Sequence, residues 1–164
     1  MKAVIQRISS ASVTIDGAVT ASVGRGFLIL LGVAEGDDAA ACDVLSAKTA
    51  KLRVFEDDGG KMNLSLADID GEVLVVSNFT LCADCRRGNR PDFFGAAKPD
   101  SAIPLYERFV KNIRDTIGDS KVQTGEFGAD MKISLINDGP VTISIDHEQL
   151  TAPKKASKSG DNEK

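Results

Sequence analysis

The sequence predicts an α+β protein in which several antiparallel strands are covered by two helices. Segments with alternating apolar residues and many β-branched side chains occur near both ends of the chain, and two segments between them carry apolar residues at helical spacing. The length of 164 residues suits one compact domain, and 42% apolar with 27% charged residues is typical of a folded globular protein. We expect this domain at residues 1–150 and a polar, Lys-rich, disordered tail at residues 151–164.

The first third of the chain predicts a β-meander followed by a helix. Asp16-Gly17 and residues 24–26 are turn signals, and they separate strands predicted near Ala3–Ile8, Ser12–Ile15, Ala18–Val23 and Phe27–Val33. Asp37 or Asp38 supplies the N-cap of a helix that extends to about Leu52. The side chains on its predicted inward face are Ala41, Val44, Leu45 and Leu52.

The middle of the chain predicts a buried strand and a second helix. Residues 72–81 are apolar on both faces in their first half, which is typical of a central strand. A helix is predicted from Asp100 or Ser101, with Pro104 in its first turn and Gly118 at its end. Its apolar stripe indicates core packing rather than cofactor contacts and comprises Tyr106, Phe109, Val110, Ile113 and Ile117.

The segment NDGPVT, residues 137–142, lies between two strand-like segments, MKISLI and ISID. Two interpretations are open. Asp138-Gly139 followed by Pro140 can form a stiff hairpin turn, because proline is tolerated at the first residue of a strand. Alternatively, the Gly139-Pro140 bond is cis, which X-Pro bonds adopt at modest cost, and two main-chain carbonyls then point in an unusual, fixed direction.

Composition argues against several classes of protein. The longest apolar run, Phe27–Ala34, is too short to cross a membrane, and the N-terminal segment lacks the pattern of a secretory signal, so we expect a cytoplasmic protein with no membrane partner. The odd number of cysteines, three, fits a reducing compartment. Cys82 and Cys85 form a C-x-x-C, but Cys42 is the one further thiol and His147 the sole imidazole, which favours free thiols over a metal or redox site.

The net charge of −4 is unevenly distributed along the chain. Residues 151–164 carry four lysines against Asp161 and Glu163, which is +2, so the rest of the chain carries −6 and does not suit a protein that coats nucleic acid broadly. A local basic patch at residues 86–98 contains one acidic residue, Asp92, and the cations Arg86, Arg87, Arg90 and Lys98. This patch is either a solvated loop or a confined phosphate-binding surface.

Common catalytic motifs are absent from the sequence. It has no glycine-rich phosphate loop and no histidine-rich metal spacing, and His147 lies beside the polar tail, where we expect it to be exposed rather than catalytic. The strongest candidate is the end of the predicted central strand, which places two hydroxyls and a carboxamide together in Ser77, Asn78, Phe79 and Thr80. Amides at such a strand end either form an oxyanion hole or satisfy the strand terminus itself.

Several motifs in a fixed order resemble those of the D-aminoacyl-tRNA deacylases of the widespread DTD type. They are MKAVIQRISSASVTIDG at the start, then GKMNLSL, SNFTL and GEFGADMKISLINDGPVT, so that the resemblance covers about Met1–Asp146. The family patterns are usually S-Q-F-T and N-x-G-P-V-T. This chain departs from the first at Asn78, which keeps the carboxamide of glutamine but is one methylene shorter, while main-chain contacts at Phe79 and Thr80 are unaffected.

The resemblance implies a homodimer with a three-layer β/β/α fold and with active sites at the dimer interface. Gly139-Pro140 is then cis and inserts from one subunit into the pocket around Ser77–Thr80 of the other. The carbonyl oxygens of the pair face the α-amino group of the bound amino acid, leaving no room for an L side chain while a D side chain points outward. In the same way the resemblance implies that Phe127 and Met131 shape the pocket and that Asn137 braces the turn.

The implied reaction is hydrolysis of the ester between a D-amino acid and the terminal adenosine of tRNA, with mischarged glycyl-tRNA as a second substrate. Phe79 and Thr80 contribute backbone amides at the carbonyl, and the 2′-OH of the RNA assists the attack of water, with Thr80 as nucleophile the alternative. No metal and no cofactor are implied. Arg86, Arg87 and Arg90 are our candidates for phosphate contacts with the tRNA.

Two other classes of function remain open at this point. One is a tRNA-binding homodimeric module of the same fold with weak catalysis, which Asn78 and the basic tail motivate. The other is a structural or amino-acid-binding dimer. Release of the amino acid from D-aminoacyl-tRNA, with the L-ester spared, distinguishes the enzyme from both.

Overall fold

The computed structural model describes residues 1–152 and confirms the α+β class. Its helices are α1 (Ala39–Ala50), α2 (Pro99–Ile117) and α3 (His147–Thr151). Its strands are β1 (Lys2–Ile15), β2 (Ala18–Val23), β3 (Gly26–Gly32), β4 (Phe55–Glu56), β5 (Met62–Leu64), β6 (Glu72–Ser77), β7 (Val122–Thr124) and β8 (Lys132–Asp146). Two short 3₁₀ turns lie at Phe79–Cys82 and Asp119–Lys121. The predicted tail lies, from residue 153 onward, outside the described residues.

The long strand β1 organises a six-stranded sheet. β8 pairs antiparallel with β1 from Lys2 to Thr14, while the opposite edge of β1 is divided between β3, at Lys2–Ile8, and β2, at Ala11–Ile15. β3 pairs with β6 and β6 with β7, both in parallel. A two-stranded sheet of β4 and β5 lies apart from the six-stranded one.

Two hydrophobic clusters cover the two faces of β3 and β6. On one face, Phe27, Ile29 and Leu31 of β3 pack with residues of α1 and α2, such as Leu45 and Phe109. On the other face, a second cluster joins these strands to the far half of β1 and to β2 through Ile8, Ala11, Val13, Ala21, Val23, Leu28, Leu74 and Val76. The sheet therefore curls over itself and is covered by helices on its outer face, as the predicted β/β/α layering requires.

Both helices form where the sequence predicts them, with corrections at their ends and faces. Asp38 caps α1 by accepting a hydrogen bond from the Ala41 amide at 2.8 Å. The predicted inward position of Val44 is wrong, since its side chain is 40% exposed. Apart from Leu45, the buried side of α1 carries small residues, namely Ala41, Cys42, Ser46, Thr49 and Ala50. These allow a close approach of α2, where Asn112 donates a hydrogen bond to the Ser46 hydroxyl at 2.9 Å.

The second helix begins at Pro99, one or two residues before the predicted start, and ends at Gly118 with φ 102°. Its stripe is buried at Tyr106, Phe109, Val110 and Ile113, which confirms the predicted core packing. Ile117, at the last turn, is only partly buried. Among residues 1–152, no helix is long and apolar enough to cross a membrane.

Two predicted breaks in strands are wrong, and both involve the β1–β8 pair. β1 runs without interruption through the serines that separate its two predicted halves, because β8 pairs along its whole length. The hairpin interpretation of NDGPVT is also wrong. Asn137 pairs with Ile8 and Thr142 with Gln6, so the chain keeps its direction and residues 138–141 bulge out opposite a single β1 residue, Arg7.

Candidate active site

The segment Ser77–Thr80 begins where β6 ends, as predicted, although the strand stops at Ser77 and does not continue to residue 81. The Asn78 amide donates to the Leu31 carbonyl at 2.8 Å, and the chain then enters the 3₁₀ turn. This turn lies directly on the end of β3 because Gly32 has no side chain. A Cβ there would lie 2.9 Å from the Leu81 Cβ and 3.1 Å from the Asn78 carbonyl oxygen.

Asn78 caps the turn with its own carboxamide. Its Oδ1 accepts hydrogen bonds from the Thr80 amide at 3.2 Å and from the Thr80 hydroxyl at 2.5 Å. The hydroxyl of Thr80 therefore donates to a neutral amide oxygen, which is too weak a base to activate it as a nucleophile. Phe79 is the first residue of the turn, so its amide has no hydrogen-bonding partner within the turn.

A cavity of about 460 Å³ opens beside this turn. Ser77, Asn78, Phe79 and Thr80 line it together with Phe127 and Met131, so the structure brings these six predicted residues to one place. Gly125 allows the approach of Met131, since a Cβ on Gly125 would lie 2.5 Å from the Met131 sulfur. The volume lies within the range of pockets that bind small molecules.

Tyr106 lines the cavity as well, a role that the sequence interpretation missed by assigning it to the core alone. Its hydroxyl donates to the Val75 carbonyl at 2.9 Å, and its ring meets Phe127 edge-on with centroids 6.0 Å apart. Burial raises the pKa of Tyr106 to about 12. The signal in the sequence was a single hydroxyl-bearing ring, the chain's only tyrosine, in an otherwise apolar stripe.

The bulge in β8 forms a braced loop whose Gly139-Pro140 bond is cis. Asn137 closes the loop, because its Oδ1 accepts from the Val141 amide at 2.8 Å and its Nδ2 donates to the Val141 carbonyl at 3.2 Å. Pro140 at the apex is exposed. The geometry of Asn137 is that of a brace for the Gly-Pro pair.

Arg7 supports the loop from below, and no sequence motif pointed to it. Its side chain is only 6% exposed, Nε donates to the Asp138 carbonyl at 2.8 Å, and Nη1 donates to the Val54 carbonyl at 2.7 Å. In the sequence, Arg7 is a single cation in a strand of alternating apolar residues, and such a cation is ordinarily exposed to solvent. A Cβ on Gly139 would lie 3.3 Å from Arg7 Nη2 and 2.7 Å from the Val141 nitrogen.

The braced loop and the cavity do not meet within the chain. None of residues 137–142 lines the cavity, although Ile133 at the start of β8 does. Between these two positions, Leu135 and Ile136 are exposed by 37% and 62%. An apolar, exposed strand segment thus runs between the two features.

The predicted arginines occupy different environments. Arg86 is engaged by Asp84, with Nε donating to Oδ1 at 2.9 Å and Nη2 to Oδ2 at 2.6 Å. The same hydrogen bonds lower the pKa of Asp84 to about 2 and raise the pKa of Arg86. Arg87 and Arg90 instead line a second hollow of about 700 Å³.

His147 and the three cysteines do not line the cavity. His147 is partly buried and not exposed as predicted, because its Nδ1 lies 2.6 Å from the Met1 amino group, which in turn donates to Asp37. Cys42, Cys82 and Cys85 are free thiols. Burial, followed by the charge of Asp43, raises the pKa of Cys42 to about 11. Within residues 1–152, no group of three or more metal-ligating side chains comes together.

Comparison with known proteins identifies the family of this chain. A family model described as D-Tyr-tRNA(Tyr) deacylase matches residues 4–146. A D-aminoacyl-tRNA deacylase of Flavobacterium psychrophilum is 56% identical over 89% of this chain and 97% of its own length, and one of Anaeromyxobacter dehalogenans is 53% identical over 92% and 99%.

Two solved structures share the fold. One, named c-Myc DNA Unwinding Element Binding Protein, has a TM-score of 0.85 and 40% identity over 89% of this chain and 98% of its own. The other, described as a probable eukaryotic D-amino acid tRNA deacylase, has a TM-score of 0.72 at 16% identity over 88% of this chain and 98% of its own, which supports the fold alone. With the family model and these relatives each spanning most of its length, the chain belongs to the D-aminoacyl-tRNA deacylase family of hydrolases.

Proposed function

We propose that this protein hydrolyses the ester bond of D-aminoacyl-tRNA, releasing a free D-amino acid and tRNA. The observation that carries the proposal is the cavity around Ser77–Thr80, in a chain that belongs to this deacylase family. The cavity lies beside the amide of Phe79, which has no hydrogen-bonding partner within the 3₁₀ turn. An α-aminoacyl ester is already activated by its neighbouring ammonium group. Alignment and stabilisation of the oxyanion are therefore sufficient roles for the protein.

The amides of Phe79 and Thr80 are the proposed donors to the developing oxyanion. The Phe79 amide has no partner within its turn, whereas the Thr80 amide is held by Asn78 Oδ1 until a substrate carbonyl takes its place. Because the Thr80 hydroxyl also donates to this carboxamide, we favour water activated with the help of the RNA 2′-OH over Thr80 as nucleophile. Removal of one oxyanion donor typically costs about 10²–10³ in rate.

Gly139 and Pro140 provide the proposed selection of handedness. Asn137 and Arg7 hold the exposed loop by main-chain contacts on both sides of this pair. A wedge of fixed main-chain atoms excludes an L side chain by steric clash and does not need to recognise the D side chain. Glycine has no side chain to exclude, so mischarged glycyl-tRNA is a second proposed substrate.

The proposed active enzyme is a homodimer in which the wedge of one subunit enters the cavity of the other. Two features of the single chain support this: residues 137–142 do not line their own cavity, and Ile136 exposes 62% of its side chain beside the loop. A twofold axis near β8 would bury this segment and deliver both wedges at once. We further propose that residues 1–150 form the catalytic domain and that the protein acts in the cytoplasm, where aminoacyl-tRNA is used. The expectation of a disordered tail from residue 151 is wrong at Thr151, which belongs to α3, and from residue 153 onward it lies outside the described residues.

Rates of release from D-tyrosyl-, L-tyrosyl- and glycyl-tRNA test the reaction. We expect rapid release from the D-ester and from glycyl-tRNA, with the L-ester spared, and Pro140→Ala should reduce this discrimination. A wild-type protein that binds tRNA but releases no amino acid would favour the second candidate, a tRNA-binding module. The observation that favours this second candidate is the occupation of the Thr80 amide by Asn78.

Subunit mixing tests the shared site. Ala129→Trp fills the cavity and Gly139→Ala displaces the wedge, so each homodimer should be inactive. Because a mixed dimer contains one intact cavity facing one intact wedge, an equal mixture should recover about a quarter of wild-type activity. No recovery, with mixed dimers verified by mass, would show that cavity and wedge act within one chain.

A further inference from the structure

The second hollow lies beside the catalytic cavity and is joined to it by aromatic rings. Phe79 lines the cavity, and its ring meets the ring of Phe93 edge-on, with centroids 5.2 Å apart. Phe93 in turn lines the second hollow, together with Arg87, Arg90 and Phe94. The cavity and the hollow are therefore neighbours, separated by the contact between these two rings.

Phe94 is exposed to an unusual degree. Its side chain is 94% accessible, more than any other large apolar side chain of residues 1–152, and Phe93 and Phe79 beside it are 37% and 60% exposed. Exposed aromatic rings that gain nothing from the core are typical of binding surfaces. A flat, open phenyl ring is a surface on which a nucleic-acid base can stack, whatever the base.

The loop that carries Phe94 is held in place and its acidic groups are occupied. Asp84 and Asp92 form two backbone hydrogen bonds, at 2.7 and 2.9 Å, and the Gly95 carbonyl accepts from Glu35 at 2.9 Å. The Asp84 carboxylate is taken by Arg86, and the Asp92 carboxylate accepts from the Phe94 amide at 2.7 Å. Arg87 and Arg90 are thus the cations available to a negatively charged ligand in the hollow.

We infer that this hollow binds the single-stranded nucleotides that precede the terminal adenosine of tRNA, with a base stacked on Phe94 and phosphates paired with Arg87 and Arg90. The inference rests on the proposed function, because an ester carbonyl bound at the Phe79 and Thr80 amides brings the terminal adenosine next to this hollow. Arginine with an exposed aromatic ring is the combination that binds single-stranded RNA with little regard to sequence.

Binding of uncharged RNA tests the inference independently of catalysis. The probes are a hairpin with a single-stranded 3′ ACCA end and the same hairpin with a blunt end. For the full chain, we expect the overhang to strengthen binding, and Phe94→Ala to remove about 5- to 100-fold of that gain, as loss of one stacked base predicts. Arg87→Gln with Arg90→Gln should reduce the dependence of log K on log salt concentration by about 1.4, since each phosphate contact on a single strand contributes about 0.7.

Matched controls are Val19→Ala, an apolar side chain 64% exposed on β2, and Lys48→Gln, an exposed cation on α1. Both should keep the overhang-dependent gain. The inference is overturned if Phe94→Ala keeps it too, or if Phe94→Ala changes only the dissociation of the dimer, which would identify the ring as a subunit contact. Wild-type hydrolysis of D-tyrosyl-tRNA, measured in parallel, reports on the proposed function separately, because RNA binding without hydrolysis refutes that function and leaves this surface intact.

Discussion

The turn at Ser77–Thr80 and the loop at Asn137–Thr142 both interrupt strands, but they are stabilised in different ways. The turn is held locally, by the carboxamide of Asn78 on the next-but-one residue. The loop has a local brace in Asn137 and, in addition, a distant support, because Arg7 of β1 donates to the Asp138 carbonyl from a buried position. The first feature has a cavity and no wedge, and the second has a wedge and no cavity. Local bonding leaves the turn free to rearrange around a substrate, whereas long-range bonding keeps the loop fixed.

Removing the distant support should have the largest effect. Arg7→Ala leaves the carbonyls of Asp138 and Val54 without their charged donor, and such bonds contribute about 1.5–3 kcal/mol each. We expect the free energy of unfolding, from urea titration, to fall by about 3–4 kcal/mol, with loss of D/L discrimination at temperatures where the variant is folded. Arg25→Ala, which removes an exposed arginine over the Phe55 ring, should cost less than about 1 kcal/mol. Equal losses in the two variants would contradict the special role of Arg7.

A change at the loop apex should affect activity more than stability. In Gly139→Ala, the new Cβ would meet the Val141 nitrogen at 2.7 Å with φ at 143°, so the wedge must move. A displacement of about 1 Å lowers a rate by about 100-fold, and we expect that loss in D-ester release. Gly17→Ala is the matched control, since φ is 81° there but no atom lies within 4 Å of the Cβ. It should lower stability and leave the rate unchanged.

The pH dependence of the free energy of unfolding tests the burial of Tyr106 in the wall of the cavity. Its pKa rises from 10.0 to about 12 in the folded state, so between these values the unfolded chain has already lost a proton that the folded chain keeps. Stability from this group is therefore complete below pH 10 and is lost as the pH rises toward 12. Tyr106→Phe should remove that part of the alkaline decline, at a cost of about 1 kcal/mol at neutral pH for the bond to Val75.

Tyrosinate absorbance measures this titration directly, because Tyr106 is the only tyrosine and the sequence contains no tryptophan. Comparison of urea titrations for wild type and Tyr106→Phe at several pH values separates this group from the lysines. A tyrosinate midpoint near pH 10 in the folded protein would show that the ring is solvated.

The smallest effects are expected at the locally bonded turn. Thr80→Ala removes the hydroxyl but keeps the amide, so D-ester release should change by less than about threefold if the RNA 2′-OH assists the reaction. Asn78→Gln should change it by a similarly small factor, because only main-chain donors are proposed to touch the carbonyl. Pre-steady-state release assays on the same tRNA measure both. A loss above 100-fold in Thr80→Ala would instead support Thr80 as nucleophile, and a large gain in Asn78→Gln would give the side chain a direct role.

Much of the fold could be predicted because it depends on local periodicity. Helical spacing located α2 and its buried residues, and an apolar run with two buried faces located β6. Val44 was misplaced because it shares helical spacing with Ala41 and Leu45, whereas the packing of α1 on α2 turns Cys42, Ser46 and Thr49 inward instead. The unbroken β1 and β8 were missed for another reason. Each is kept extended by the other across more than a hundred residues of sequence, and no local signal records that pairing.

The candidate site divides along the same line. By itself the sequence determined which residues carry the turn and the Gly-Pro pair, since glycine, proline and a capping carboxamide restrict the backbone within a few residues. Tertiary structure alone decided that Arg7 supports the loop, that Tyr106 faces the cavity, and that Gly-Pro projects from a continuous strand instead of closing a hairpin. The physical reason is that contacts between distant segments depend on strand register and burial, which are set by the free energy of the whole packed chain.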